Sequence, residues 1–205
     1  MKKNLFILIY TFISFFTVQS LLANEKSGLD IKVNEFMIGN EDAPITIIEY
    51  ASMSCSHCAD FHTNTLPELK TEFIDTGVVR MIFRDYPFNY PALLGSMMMR
   101  CIPEDVRYDY MNVLYQLQSS WVNKDPKITK TELYKIMQSG GMTKEEFDIC
   151  YGNLDNENLI LEGVMAAQKD FNIKSTPSFI INGSLFAGNK NIKEFRQIID
   201  KILSE

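Results

Sequence analysis

Histidine is scarce in this chain, with 2 in 205 residues, and tryptophan occurs once. Two histidines and four cysteines leave little material for a closed zinc site, which draws its four ligands mainly from those residue types. Basic residues are not in excess either. With 20 Lys and Arg against 26 Asp and Glu, no positive surface is available to neutralise phosphates, which excludes a general nucleic-acid binder. Seven prolines and ten glycines are too few for a fibrous or disordered chain. Four cysteines are also too few for a disulfide-dense mini-scaffold, so catalytic, metal or occasional structural roles remain for them. Apolar residues are plentiful, at 46%, enough to build the core of one domain with room for an insertion.

Lys2 and Lys3 precede an uncharged apolar stretch over residues 5–18, after which Gln19 and Ser20 interrupt it and Ala23 offers a small residue. That is the layout of a secretory signal peptide over 1–23. An uncleaved membrane anchor is the alternative, because residues 5–22 are only just long enough to span a bilayer. Removing 1–23 takes away two lysines and no acid, moving the balance from −6 to −8. Export would place the cysteines in an oxidising compartment.

The remainder reads as α/β. An edge strand is expected over 31–37, and 44–50 is short, β-branched and apolar on both faces, as in a central strand. A helix should start near Ser56 and kink or break at Pro67. Residues 77–84 form a second strand, stopped by Pro87. Helical patterns then run from 91 to about 170. Pro103 is placed as a first helical residue, with Val106, Tyr110, Val113, Leu114 and Leu117 on one face. Thr129 with Glu132, and Thr143 with Glu146, have capping-box spacing. A helix over 158–171 carries Leu161, Val164 and Met165 on a common stripe. Strand sequence returns at 178–181, and Asn182-Gly183 before 184–186 is a strong hairpin signal. A last helix aligns Ile192, Phe195, Ile198, Ile199 and Ile202. Residues 24–90 and 170–205 are therefore expected to form one discontinuous domain, with 91–169 as a helical insertion.

The chemistry concentrates at Cys55-Ser56-His57-Cys58. The pair follows a buried-type strand and opens a helix. The first sulfur then faces unpaired N–H groups and the positive end of the helix dipole, which favours its thiolate. Cys55 is thus the expected nucleophile, and Cys58, one turn on, the buried resolving partner. His57 could add positive charge or a hydrogen bond to the Cys55 sulfur. A stabilised thiolate stabilises the reduced pair and makes the disulfide a stronger oxidant. Zinc held by Cys55, Cys58 and His62, and an inert structural disulfide, are the competing readings. Haem attachment fails because Ala59 stands where histidine is required.

The run from Ile48-Glu49-Tyr50 through Cys55-Ser56-His57-Cys58 to Phe61-His62 resembles the active-site segment of DsbA-type thiol:disulfide oxidoreductases. So do Gly39-Asn40 with Ala43-Pro44, Phe83-Arg84-Asp85-Tyr86-Pro87, and Ser175-Thr176-Pro177-Ser178. The resemblance covers about residues 35–205 and implies a thioredoxin fold with an inserted helical domain. It implies periplasmic oxidation of reduced secreted proteins, without a cofactor, by a monomer that a quinone-linked, DsbB-type membrane partner reoxidises. The residues alone leave Pro177 either cis or an ordinary trans proline; the resemblance implies cis, with Thr176 offering backbone to an extended substrate. It likewise makes Glu49 a buried acid serving the proton of Cys58. Some family members carry a second, non-catalytic cysteine pair, here Cys101 and Cys150, which could otherwise be two separate buried thiols. The Ser-His dipeptide, where the best-known oxidases have Pro-His, and Thr176 before the proline are departures. An isomerase or reductase of the same fold is the first alternative activity, although only about 16 mature residues precede Asn40 to supply a dimerising domain. A non-enzymatic peptide-binding holdase or adaptor is the second. His62 is expected to be a packing or surface histidine, Met97-Met98-Met99 core or groove, and Arg80 and Arg84 edge or salt-bridge residues.

Overall fold

The computed structural model describes residues 35–205. The signal peptide and the first part of the expected edge strand lie outside the described residues. Strands β1 (Phe36–Ile38) and β2 (Ile45–Ala51) lead into α1, an irregular helix over 56–74. After β3 (Val79–Asp85) come α2 (Tyr90–Cys101), α3 (Glu104–Gln116), the single turn α4 (Gln118–Trp121), α5 (Pro126–Ser139), α6 (Lys144–Tyr151) and α7 (Leu154–Phe171). The hairpin β4 (Ser178–Ile181) and β5 (Ser184–Ala187) and the helix α8 (Ile192–Leu203) complete the chain. The sheet order is β1-β3-β2-β4-β5, with β2 parallel to β3 and every other pairing antiparallel. The mixed α/β class is as expected.

β2 occupies the centre because both of its faces are apolar. Ile45 and Ile47 join Phe61, Leu66, Leu69, Phe195 and Ile199 in the core between the sheet, α1 and α8. Ile48 and Tyr50, on the opposite face, pack with Ala167 and Phe171 of α7. The strand alternation therefore sends Glu49 to the α1 side. A third core fills the helical block: Leu94, Met97, Met98, Leu114, Trp121 and Phe147 pack together and reach Met53 and Cys58. All three consecutive methionines are core residues. The hairpin turn has Asn182 at φ 41° and Gly183 at φ 86°, a left-handed pair that asparagine and glycine tolerate best. The Asn182 side chain also accepts from the Thr46 N–H at 2.9 Å, which pins the turn to β2.

Several local expectations are corrected. The helix passes Pro67 by widening ahead of it: 61–65 is a π turn in which the Leu66 N–H bonds back to the Phe61 carbonyl. This shift in pairing accommodates the missing proline donor. β1 begins at Phe36 among the described residues and runs one residue past the expected end. Pro103 caps α3 rather than opening it, and the buried face is Met111, Leu114 and Tyr115, with Val106, Val113 and Leu117 exposed. α5 starts earlier than the Thr129 spacing suggests. Asp125 caps it, and Thr129 is buried with its hydroxyl bonded to the Asn123 carbonyl. Helix α7 begins at Leu154 and buries Ile160, Ala167 and Phe171, leaving Leu161 and Met165 exposed. In α3 and α7 a neighbouring element selected a different face from the one apolar content suggested. The capping box of Thr143 and Glu146 does form, and α8 buries Phe195 and Ile199 as its pattern requires. Arg84 forms an ion pair with Glu35 at 2.6 Å.

A disulfide joins Cys101 at the end of α2 to Cys150 in α6, with Cα atoms 6.2 Å apart and 49 positions of sequence separation. Replacing both residues by alanine should cost about 4 kcal/mol in the chain-entropy model of loop closure. The measurement is the urea midpoint of the oxidised protein, and an unchanged midpoint would mean that packing alone holds the helical block together.

Candidate active site

The site is assembled where β2 ends. The Tyr86 N–H donates to the Ala51 carbonyl at 2.7 Å, and the Cys55 N–H turns back to the Ser52 carbonyl at 3.0 Å. Cys55 is the N-cap residue of α1, in extended conformation (φ −82°, ψ 122°), so its sulfur stands beside first-turn N–H groups that have no intrahelical acceptor. Cys58 is fully buried, while Cys55 is half-buried. The helical block reaches the same loop: Gln118 Nε2 donates to the carbonyls of Met53 and Cys55, each at 3.0 Å. Sequence reasoning missed Gln118, because its partners lie 65 and 63 positions away and no local pattern marks it.

The Thr176–Pro177 peptide bond is cis and lies across from the cysteines. The Cys55 thiol donates to the Thr176 carbonyl at 3.3 Å. That contact suits the protonated sulfur, and the surrounding donors oppose it. The Cys58 S–H and the backbone N–H groups of Cys58 and His57 together hold Cys55 far below an ordinary thiol, at about 5, against the opposing effect of partial burial. The donors win because ionisation strengthens three contacts and weakens one. Cys58 moves the other way: burial, the hydrogen bond it gives to Cys55 and the Glu49 charge all push its thiol up. His57 itself is exposed on the first turn, and its backbone N–H is what it presents to the Cys55 sulfur.

Beneath the cysteines lies a pair that the sequence did not connect. Glu49 is buried, and so is His62, whose Nε2 is 2.9 Å from Glu49 Oε2. The His62 ring stacks on Tyr115 at 4.1 Å and also meets Phe83. The available signal was spacing, since His62 lies four residues after Cys58 on one helix face. His62 is thus engaged with an acid, and among the described residues no three His, Cys, Asp or Glu side chains are grouped to hold a metal ion. A cavity of about 600 Å³, lined by Ile181, Phe186, Ile198 and Ile202, lies between β5 and α8 at the other end of the sheet from the sulfurs. It belongs to a different part of the surface.

A family model described as thioredoxin matches residues 32–201. The chain belongs to the thioredoxin family. Within that family its likeness is to the DsbA type. Wolbachia pipientis alpha-DsbA1 superposes with a TM-score of 0.80 at 28% identity, covering 86% of this chain and 94% of that one. A Rickettsia felis relative, by name a protein-disulfide oxidoreductase, is 32% identical over 177 residues, 84% of this chain and 61% of that protein. The disulfide bond formation protein D of Bacillus subtilis (strain 168) is 24% identical over 174 residues, 82% of this chain and 76% of that protein. The chain spans 61–71% of the length of the rickettsial relatives. Among the described residues no helix is long and apolar enough to cross a membrane.

The thiolate is directly measurable. The ultraviolet absorbance of the reduced protein should titrate with a midpoint at about 5, and Cys55→Ser should abolish the signal. The folded value lies below the unfolded one of about 8.5, so the stabilisation of the reduced fold is complete above about 8.5 and shrinks as pH falls. It is gone below the folded value of about 5. The oxidised protein lacks this titration. The thermal midpoint of the reduced form should therefore gain on that of the oxidised form as pH rises through this window, and a constant difference would contradict the assignment.

Proposed function

We propose that this thioredoxin-family chain is an exported protein thiol:disulfide oxidoreductase that donates the Cys55–Cys58 disulfide to reduced secreted proteins. The observation that carries this reading is the opposite displacement of the two thiols, Cys55 toward its anion and Cys58 away from it. A substrate thiolate attacks Cys55 and forms a mixed disulfide, and the electron pair of the broken bond leaves on Cys58. The substrate's second thiolate then attacks the mixed disulfide, and Cys55 leaves as its stabilised anion. The substrate is oxidised and the cysteine pair reduced, so no cofactor enters. A quinone-linked membrane oxidase of the DsbB type would then restore the pair.

The remaining roles follow the same logic. The cis Thr176–Pro177 segment flanks Cys55 and presents an edge for an extended substrate to add as a strand. Glu49 is the acid that serves Cys58, and the exposed His57 lies at the rim where a substrate arrives. The Cys101–Cys150 bridge is structural, tying two helices of the block over 91–169 that is inserted into the thioredoxin domain of 24–90 and 170–205. Export rests on the signal-peptide pattern over 1–23 and suits an oxidising reaction. The names of the Bacillus and Rickettsia relatives agree with this activity.

The test uses the oxidised chain and a reduced two-cysteine peptide. Wild type should oxidise the peptide stoichiometrically and Cys55→Ser should not. Cys58→Ser, given the symmetric disulfide of a one-cysteine peptide, should release one peptide thiol and accumulate a covalent adduct at Cys55, visible by mass spectrometry. Unaltered peptide oxidation by Cys55→Ser would refute the reading. A Cys55 that alkylates like a free thiol would instead favour a holdase or adaptor.

A further inference from the structure

Glu49 and His62 form an acid–base pair sealed from water, with both side chains at 0% exposure. Burial of two ionisable groups is unfavourable unless they are well paired, and replacement by apolar residues of similar size is frequently neutral or better for stability. The pairing here is incomplete. His62 Nδ1 and Glu49 Oε1 are buried without a hydrogen-bond partner among the described residues. Packing alone does not call for such an arrangement.

The surroundings connect the pair to one sulfur. Cys58 and His62 lie on one side of α1, and the π turn over 61–65 carries His62 inward toward Glu49 on β2. The Glu49 charge acts on Cys58, and Tyr115 of α3, stacked on His62, is under the influence of Cys58, Glu49, Asp85 and Cys55. β3 contributes the apolar ring of Phe83, 5.7 Å from the imidazole. The titratable neighbourhood of His62 is therefore Glu49, Cys58 and Tyr115, with Asp85 and Cys55 acting on Tyr115.

We infer that His62 is a positioning residue for proton transfer at Cys58: its ring nitrogen fixes the Glu49 carboxyl and shares the charge that develops there. The inference rests on the exchange activity proposed above. When a substrate thiolate bonds to Cys55, the Cys55–Cys58 bond breaks and its electron pair goes to Cys58. Glu49 passes its proton to that sulfur and becomes a carboxylate, which the His62 Nε2–H stabilises by donating to Oε2. In reverse, the Cys58 thiol returns the proton to Glu49, the thiolate attacks Cys55, and the bound thiol departs as its anion. A neutral imidazole donor suits both directions, because it supports the carboxylate without holding it permanently ionised.

The test isolates the Cys58 step in the full chain. Cys55 is loaded as a mixed disulfide with glutathione, and glutathione release by Cys58 is timed across the pH range for wild type, His62→Gln, His62→Phe, Glu49→Gln and the Glu49→Gln/His62→Gln double variant. Each single variant should slow release by roughly tenfold or more and change its pH profile, as loss of a general acid–base device does. The double variant should be no slower than the slower single, because the two residues act in one step. The Cys55 thiolate titration should stay at its wild-type midpoint, which a general loosening of the site would not allow. His62→Phe retains a ring on Tyr115 without the donor. If it releases glutathione at the wild-type rate and pH profile, stacking is the whole role of His62 and the inference is overturned. A wild-type rate in His62→Gln overturns it as well. If wild type itself forms no mixed disulfide or never resolves one, the exchange activity falls first and this inference falls with it.

Discussion

One proton, shared unequally between two sulfurs, is the constraint on which the site depends. Cys55 and Cys58 are one helical turn apart and hydrogen-bonded, yet their environments pull them in opposite directions. The first caps the helix among N–H donors and part of its surface meets solvent; the second is shut in an apolar core beside a carboxylate. The S–H of Cys58 therefore serves as the main donor to the Cys55 anion. This asymmetry leaves one accessible sulfur that favours its anion and one protected sulfur that keeps its proton.

The fold supplies the asymmetry through α1, which is the seam between two cores. Phe61, Leu66 and Leu69 face the sheet and α8, whereas Cys58 faces the helical block with Met53 and Trp121. The site is consequently held from three directions: β2 below, the cis-proline loop across, and Gln118 from the helical block, which grips the carbonyls of Met53 and Cys55. The block does not simply cover the thioredoxin sheet. It fixes the backbone that carries Cys55.

Much of this was legible in residue order, because the signals were local. A β-branched run reads as a central strand, Asn182-Gly183 as a tight hairpin, and two cysteines at a helix start as one capping sulfur and one buried a turn later. The helix faces were misread for one physical reason. Val106, Val113, Leu161 and Met165 are as apolar as the residues that were buried in their place, and only the position of neighbouring helices decided which stripe turned inward. Of the kink or break expected at Pro67, the break does not occur: a wide turn, which leaves no residue signature, precedes the proline. His62 carried a faint signal in its spacing from Cys58, but its partner is on a strand thirteen positions earlier, and spacing along a helix cannot reveal that.

The sequence by itself determined the chemistry on offer: two sulfurs, their separation, the helix that begins between them and the strand that delivers them. These depend on covalent order and on interactions within a few residues. Tertiary structure alone decided which distant groups join the local donors around each sulfur. The carbonyl of Thr176 arrives from 121 positions away, the Gln118 amide from 63, and the Glu49–His62 pair is brought beneath Cys58 by the packing of α1 on the sheet. Proton affinity depends on burial and on donors at contact distance, and those are properties of the packed interior, fixed only when the cores close.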